Sequence, residues 1–189
     1  HIDEKWFHLK KVKQSIYLAL GEDRLYRHTQ HKSHIPKIMF LTVVAHSRWV
    51  PVLNQWWDGK IGIWPFAKLR PAARSSRNRP RGTLEWKPLN VMGEVYERWL
   101  MEKLIPAIAA LPAPLRNQVW KVQEDNAPGH TAIRNRSGLP DLIERLHLCV
   151  EFYAQPPNSP DFNIDDLGFF NSLQTAYYKL PRHSVNMMV

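Results

Sequence analysis

A single cysteine, Cys149, among 189 residues rules out an internal disulfide and any cysteine-rich zinc site. Its expected role is that of a small apolar residue in a strand. Long hydrophobic runs are missing too. The longest, Ile38 to Ala45, contains Thr42 and falls far short of the roughly 20 apolar residues of a membrane span, so no membrane partner is expected. Neither an internal repeat nor a targeting signal is visible. Acidic residues are the scarcer charge, 17 against 26 basic ones, for a net charge of +9 and a pI near 9.8. That balance suits a polyanion, most simply DNA or RNA, and argues against a hydrolase acting on a neutral substrate such as a glycoside. Hydrophobic residues make up an ordinary 44%, enough for one domain with a real core. The chain opens at His1 inside a strand-like motif, as expected of a segment cut from a longer protein.

Residues 1–9 read as a strand, and Ser15 to Leu20 as a second able to pair back onto it. Residues 21–36 form a polar, basic segment with Arg24, Arg27, Lys32 and the histidines His28, His31 and His34. Three-residue histidine spacing can mark a metal site, but without a fixed helix or cysteine partners a basic loop is the better reading. Lys37 to His46 predicts a buried strand, and Gly59 to Phe66 another, stopped at Pro65. Between Ala67 and Pro88 no hydrophobic period survives. Arg70, Arg74, Arg77, Arg79 and Arg81 are mixed there with Pro71, Pro80, Ser75, Ser76 and Gly82, which predicts an inserted loop or arm. Its arginines are candidates for binding phosphates with no base reading; a solvated loop is the competing reading.

Helical spacing begins after Asn90, a candidate N-cap. Val91, Val95, Trp99, Leu100, Leu104 and Ile108 share a face, and Pro106 is expected to kink or end the helix near Ile105. Val119 to Gln123 predicts a strand leading to Asp125. Pro128 to Leu146 predicts a helical stretch broken at Gly138-Leu139-Pro140, Leu148 to Ala154 a strand, and Ile164 to Leu180 a final helix. Trp56 and Trp57 are expected in the core, with stacking on unpaired bases as the alternative. Strands first, then helix and strand in alternation, give an α/β fold with helices able to cover both sheet faces.

Three acids stand out because a carboxylate near a core is costly unless something positive satisfies it. Asp3 lies in the apolar opening run, Asp125 at a strand end, and Asp166 after the proline-punctuated stretch Gln155 to Asn163. Each has a plain structural explanation: an ion pair with Lys5, an Asp-Asn turn, and a first-turn acid behind an Asn163 cap. In a sheet of this kind, strand ends and helix starts gather at one edge, so the three can converge. Shared by a cation, they would suit metal-assisted chemistry on nucleic acid.

Three segments carry a resemblance. They are His1-Ile2-Asp3-Glu4-Lys5-Trp6-Phe7, Gln123-Glu124-Asp125-Asn126-Ala127-Pro128-Gly129-His130 and Ser159-Pro160-Asp161-Phe162-Asn163-Ile164-Asp165-Asp166-Leu167. In order and content they resemble the signature blocks of mariner-type DDE/D transposases, of the Tc/mariner superfamily. Gly59-Lys60-Ile61-Gly62-Ile63-Trp64-Pro65-Phe66 and the arginine-rich arm are similar to a plant and oomycete subgroup. The resemblance covers nearly the whole chain.

It implies an RNase H-like catalytic domain, a mixed sheet of about five strands with helices on both faces, spanning residues 1–189. It also implies a nuclear protein that cuts DNA at transposon ends and joins them to target DNA. The catalytic and metal-binding residues it implies are Asp3, Asp125 and Asp166, holding two Mg²⁺ or Mn²⁺ ions. Forty residues separate Asp125 from Asp166, more than is common in the family, which implies a small insertion near Gly138-Leu139-Pro140. The family places its third acid five residues beyond Asp161, which selects Asp166, with neighbouring Asp165 as the alternative. Asn126, His130 and Asn163 are candidates to support the ligands; an ordinary helix-start histidine competes for His130. The helix-turn-helix modules that precede this domain in the family are absent from the sequence. Residues 21–36 sit where the family has a clamp loop, implying a homodimeric parent. The alternative function is a decayed or domesticated relative that binds DNA without cutting it.

Overall fold

Strand β1 (Ile2–His8) pairs antiparallel with β2 (Lys37–Val44), setting Ile2 against Val43 and Phe7 against Ile38. A short ribbon of β3 (Arg48–Val50) and β4 (Gln55–Trp57) follows, and β5 (Lys60–Pro65) then returns antiparallel on β2. Gly59 permits that return. Its φ is +80°, and a Cβ there would lie 2.1 Å from the Ala45 carbonyl oxygen. The computed structural model describes residues 1–9, 19–23, 35–77, 79–127, 130, 138–157, 159, 161, 163–180 and 185–189. The strand expected over 15–20, apart from Ala19 and Leu20, and the histidines His28, His31 and His34 lie outside the described residues.

Side chains alternate along a strand, so β1 and β2 divide their apolar residues between two faces. Ile2, Leu41 and Val43 join the main core with Phe66, Tyr96, Trp99, Leu100, Leu104, Ile105, Ile108, Trp120 and Val122. Phe7, Ile38 and Phe40 form a second cluster with Ala67 and Met188, packed by Leu173 and Tyr177. Each fully buried aliphatic or aromatic side chain contributes roughly 1.5–3 kcal/mol.

The main-core helix contains α1 (Gly93–Trp99) and α2 (Ile105–Ala109), joined by a π-helical turn over Leu100–Leu104. Pro106 neither ends nor breaks it. A proline has no N–H and its ring crowds the carbonyl four residues back. The widened turn before it, in which the Ile105 N–H reaches the Leu100 carbonyl, accommodates both effects. The N-cap is Met92 rather than Asn90, with no side-chain cap. A short α3 (Ala113–Arg116) leads to β8 (Val119–Glu124), which runs parallel to β9 (Cys149–Ala154). Between them lies α4 (Gly138–Arg145), whose first turn is Gly138-Leu139-Pro140. That tripeptide, expected to break the helical stretch, is itself helical. β1 runs beside β8. A second π-helical turn, Asp165–Phe169, continues into α5 (Phe170–Lys179).

Two further expectations are corrected. Residues 67–88 form an antiparallel ribbon, β6 (Ala67–Pro71) with β7 (Leu84–Pro88), not a loop throughout. Main-chain pairing needs no hydrophobic period, and opposed Arg70 and Glu85 join the ladder as readily as apolar pairs. Trp56 is 63% exposed, so only Trp57 meets the expectation of a core residue, packing edge-on to Trp120 at 6.1 Å. Cys149 lies in a strand as expected but is exposed at its first residue.

Candidate active site

β1 presents Asp3 and Lys5 on the face that α5 covers, together with Phe7. Across from it, Asn163 caps the last helical segment. Its Oδ1 accepts from the backbone N–H groups of Asp165 (3.1 Å) and Asp166 (3.4 Å). The other end of the same amide joins two of the predicted acids. Asn163 Nδ2 donates to Asp3 Oδ2 at 2.7 Å and to Asp166 Oδ2 at 3.4 Å. Lys5 pairs with Asp166 at 2.9 Å rather than with Asp3, and its ammonium lies 5.0 Å from the Phe170 ring centroid.

Asp3 and Asp166 are thus gathered from positions 163 residues apart in sequence by one side chain whose own place is fixed by capping. Burial raises the Asp3 carboxyl to about 6, against hydrogen bonds from Asn163 and the Glu4 backbone and with added repulsion from Glu4 and Asp166. Neighbouring Asp165 is fully buried, and among the described residues neither carboxylate oxygen has a hydrogen-bond partner. Burial raises it to about 7, against the pull of the N-terminal ammonium and with added repulsion from Asp3 and Asp166. Of the two candidates for the third acid, Asp166 is half exposed and hydrogen-bonded, whereas Asp165 is sealed.

Asp125 is held separately. Past the end of β8 its Oδ1 accepts from the Ala127 N–H (2.9 Å) and lies 2.7 Å from His130 Nδ1. His130 Nε2 is in turn 3.2 Å from Glu4 Oε1, and Glu4 adjoins Asp3 but points to the opposite face. Burial opposes charge on His130, but the hydrogen bond and charge of Glu4, then the charges of Asp125 and Glu124, outweigh it and raise the ring to about 9. Asn126 donates to the Gln155 carbonyl at 2.7 Å, tying the ends of β8 and β9 together.

The three predicted acids therefore meet β1 from two sides: Asp3 and Asp166 through Asn163, and Asp125 through His130 and Glu4. Among the described residues, no group of three His, Cys, Asp or Glu side chains is already arranged to hold a metal ion. The donor set still fits a hard divalent cation, being carboxylate oxygen, with a sealed carboxylate beside it that has no hydrogen bond among the described residues. Glu4 escaped the sequence reading as a functional residue. Alternation alone sends it to the core face, where a charge is unusual, and that was the available signal.

The arginines lie elsewhere, along the β6–β7 ribbon and its turn. Arg70, Arg74, Arg77 and Arg81 are exposed. Arg79 pairs with Glu85, which Lys87 also reaches at 2.8 Å, and donates to the Arg74 carbonyl at 2.9 Å. A concavity of about 630 Å³ is lined there by Arg70, Arg74, Ser75, Ser76, Arg79 and Lys87.

No family model and no curated protein sequence matches the chain. Among solved structures it is similar to a pre-cleavage Mos1 transpososome, with 20% identity and a TM-score of 0.56, over 99% of this chain and 44% of that one. A Mos1 transposase paired-end complex with left transposon end gives 21% identity and a TM-score of 0.47, over 93% of this chain and 40% of that one. The chain spans less than half the length of the chains it resembles, and its fold is that of the corresponding part of the Mos1 transpososome protein.

Proposed function

We propose that residues 1–189 form the RNase H-like catalytic domain of a mariner-type transposase, of the plant and oomycete-like subgroup, that cuts transposon ends and joins them to target DNA. In this reading β1, β2, β5, β8 and β9 are the five strands of the expected sheet, with β1 beside β8. The observation that carries the reading is the Asn163 amide joining Asp3 to Asp166 on one face of β1, while Glu4 on the other face reaches Asp125 through His130. The Mos1-like fold and the three sequence blocks support it independently.

Asp3, Asp125 and Asp166 would hold the metal. Two Mg²⁺ or Mn²⁺ ions, when bound, supply activation of water or a 3′-hydroxyl and stabilisation of the leaving oxygen. The chain's own part is orientation. Asn163 aligns Asp3 with Asp166, and Lys5 holds Asp166 from the other side at 2.9 Å. The exposed arginines of the β6–β7 ribbon hold DNA phosphates without reading bases. Nuclear location and a homodimeric full-length protein belong to the same proposal.

A second reading is favoured by one observation. Lys5 occupies Asp166, and a lysine neutralising a would-be ligand suits a decayed relative that binds DNA without cutting it. Incubating the longer protein with Mn²⁺ and DNA bearing its element's ends separates the two. Metal-dependent nicking that disappears in Asp125→Asn, with DNA binding kept, supports the enzyme. A folded, DNA-binding protein that never nicks supports the relic.

A further inference from the structure

Behind the proposed ligands runs a polar chain that the cutting chemistry does not itself use. The His130 ring stands between Glu4 (Nε2 to Oε1, 3.2 Å) and Asp125 (Nδ1 to Oδ1, 2.7 Å). It is stacked on the Tyr96 ring, centroids 4.1 Å apart and planes 22° from parallel. The Tyr96 hydroxyl donates to Glu124 Oε1 at 3.0 Å. Tyr96, Glu124 and His130 are 1%, 2% and 8% exposed.

A purely structural role explains this chain poorly. Apolar side chains of similar volume would fill the same space at equal or lower cost, since desolvating charges is expensive. The chain also ends on a group that is not buried, because the Asp125 side chain is 44% exposed. Its Oδ1 accepts from the Ala127 N–H and lies 2.7 Å from His130 Nδ1, within ion-pair reach though not in hydrogen-bond alignment, while among the described residues Oδ2 has no hydrogen bond. One oxygen is anchored and the other is left open.

We infer that Glu4 and His130 are positioning residues for Asp125: Glu4 and the Tyr96 ring fix the imidazole, and the imidazole fixes Asp125 Oδ1 so that Oδ2 faces a cation. This rests on the proposal that Asp125 is a metal ligand. β1 then serves the site from both faces, presenting Asp3 as a ligand on one and Glu4 as an anchor on the other.

Mn²⁺ titration of the chain, followed by electron paramagnetic resonance, tests the inference without any cleavage assay. Glu4→Gln is expected to weaken Mn²⁺ binding about 10-fold, the lower end of what loss of an outer partner costs a metal site. His130→Gln should lose at least as much. The double variant should lose no more than His130→Gln, because the two residues act in series. Asp125→Asn is the control: if it binds Mn²⁺ as the unchanged chain does, the metal-ligand reading fails and this inference with it. If Asp125→Asn binds weakly while Glu4→Gln binds normally, or if the Glu4 and His130 losses multiply, the inference alone is overturned. Should Glu4→Gln not fold, the unchanged chain decides. The ¹⁵N resonance of His130 Nδ1, assigned by its loss in His130→Gln, is expected to shift when Mg²⁺ is added, and an unmoved resonance overturns the inference.

Discussion

At the acid site each of the three predicted acids meets a particular partner, Asp3 on Asn163, Asp166 on Lys5 and Asp125 on His130. In the β6–β7 ribbon, Glu85 gathers Arg79 and Lys87, while Arg70, Arg74, Arg77 and Arg81 stand in solvent. The difference is sharpest at Asp3 and Asp165, whose carboxyls are taken out of water, whereas Asp125 and Asp166 stay about half exposed. Charge taken out of water must be oriented by its surroundings, so each group depends on where its neighbour sits. Exposed charge is screened within about 8–10 Å and tolerates loss one group at a time. The acid site should therefore fail abruptly and the ribbon by degrees.

The largest effect expected is at Asp3. Asp3→Asn should abolish metal-dependent cutting, beyond the roughly 10–100-fold cost of losing an outer partner, while DNA affinity measured by fluorescence anisotropy stays near normal. Retained cutting would remove Asp3 from the site. Next comes the ribbon. Replacing Arg70, Arg74, Arg77 and Arg81 with alanine should weaken DNA binding uniformly across sequences. It should also reduce the slope of log affinity against log salt by about 0.9 for each phosphate no longer neutralised. An unchanged slope would make the ribbon a solvated arm.

A third effect concerns pH. Asp3 and Asp165 are raised from 3.8 to about 6 and about 7, so the folded chain holds more protons than the unfolded one between those limits. Metal-free stability should then fall as pH rises from about 4 to about 7, by about 1.4 kcal/mol for every tenfold gain in proton affinity on folding. His130 acts at higher pH. Raised to about 9, it contributes stability that is fully present below 6.5 and is lost as pH rises through 9. Thermal melts across that range check both, and Mg²⁺ should flatten the acid part. The smallest effect is Asn163→Ala, expected to cost about 1 kcal/mol of stability through the lost cap and to free Asp3 from Asp166. A chemical denaturation curve unmoved by that change would mean the helix start is held by something else.

Much of this was legible in the sequence because it is local. The Asn163 cap, the strand over 119–124 and the buried run from Lys37 follow from residue type and period alone. What escaped is non-local. The ribbon at 67–88 pairs through its backbone, which leaves no trace in hydrophobic spacing. The role of Glu4 depends on His130, 126 residues away, and nothing in either segment alone announces the pairing. Trp56 and Trp57 look equivalent in composition, yet strand alternation sends one to solvent and the other to Trp120.

The widened turn at Leu100–Leu104 has a consequence for how this helix tolerates change in length. Such a turn holds one residue more than the regular spiral, with Glu102 and Lys103 on its outer side. Deleting Glu102 would tighten the coil in place, leaving Tyr96 and Trp99 upstream and Ile108 downstream still facing inward. The same deletion elsewhere in the helix would swing half of it around by about 100°.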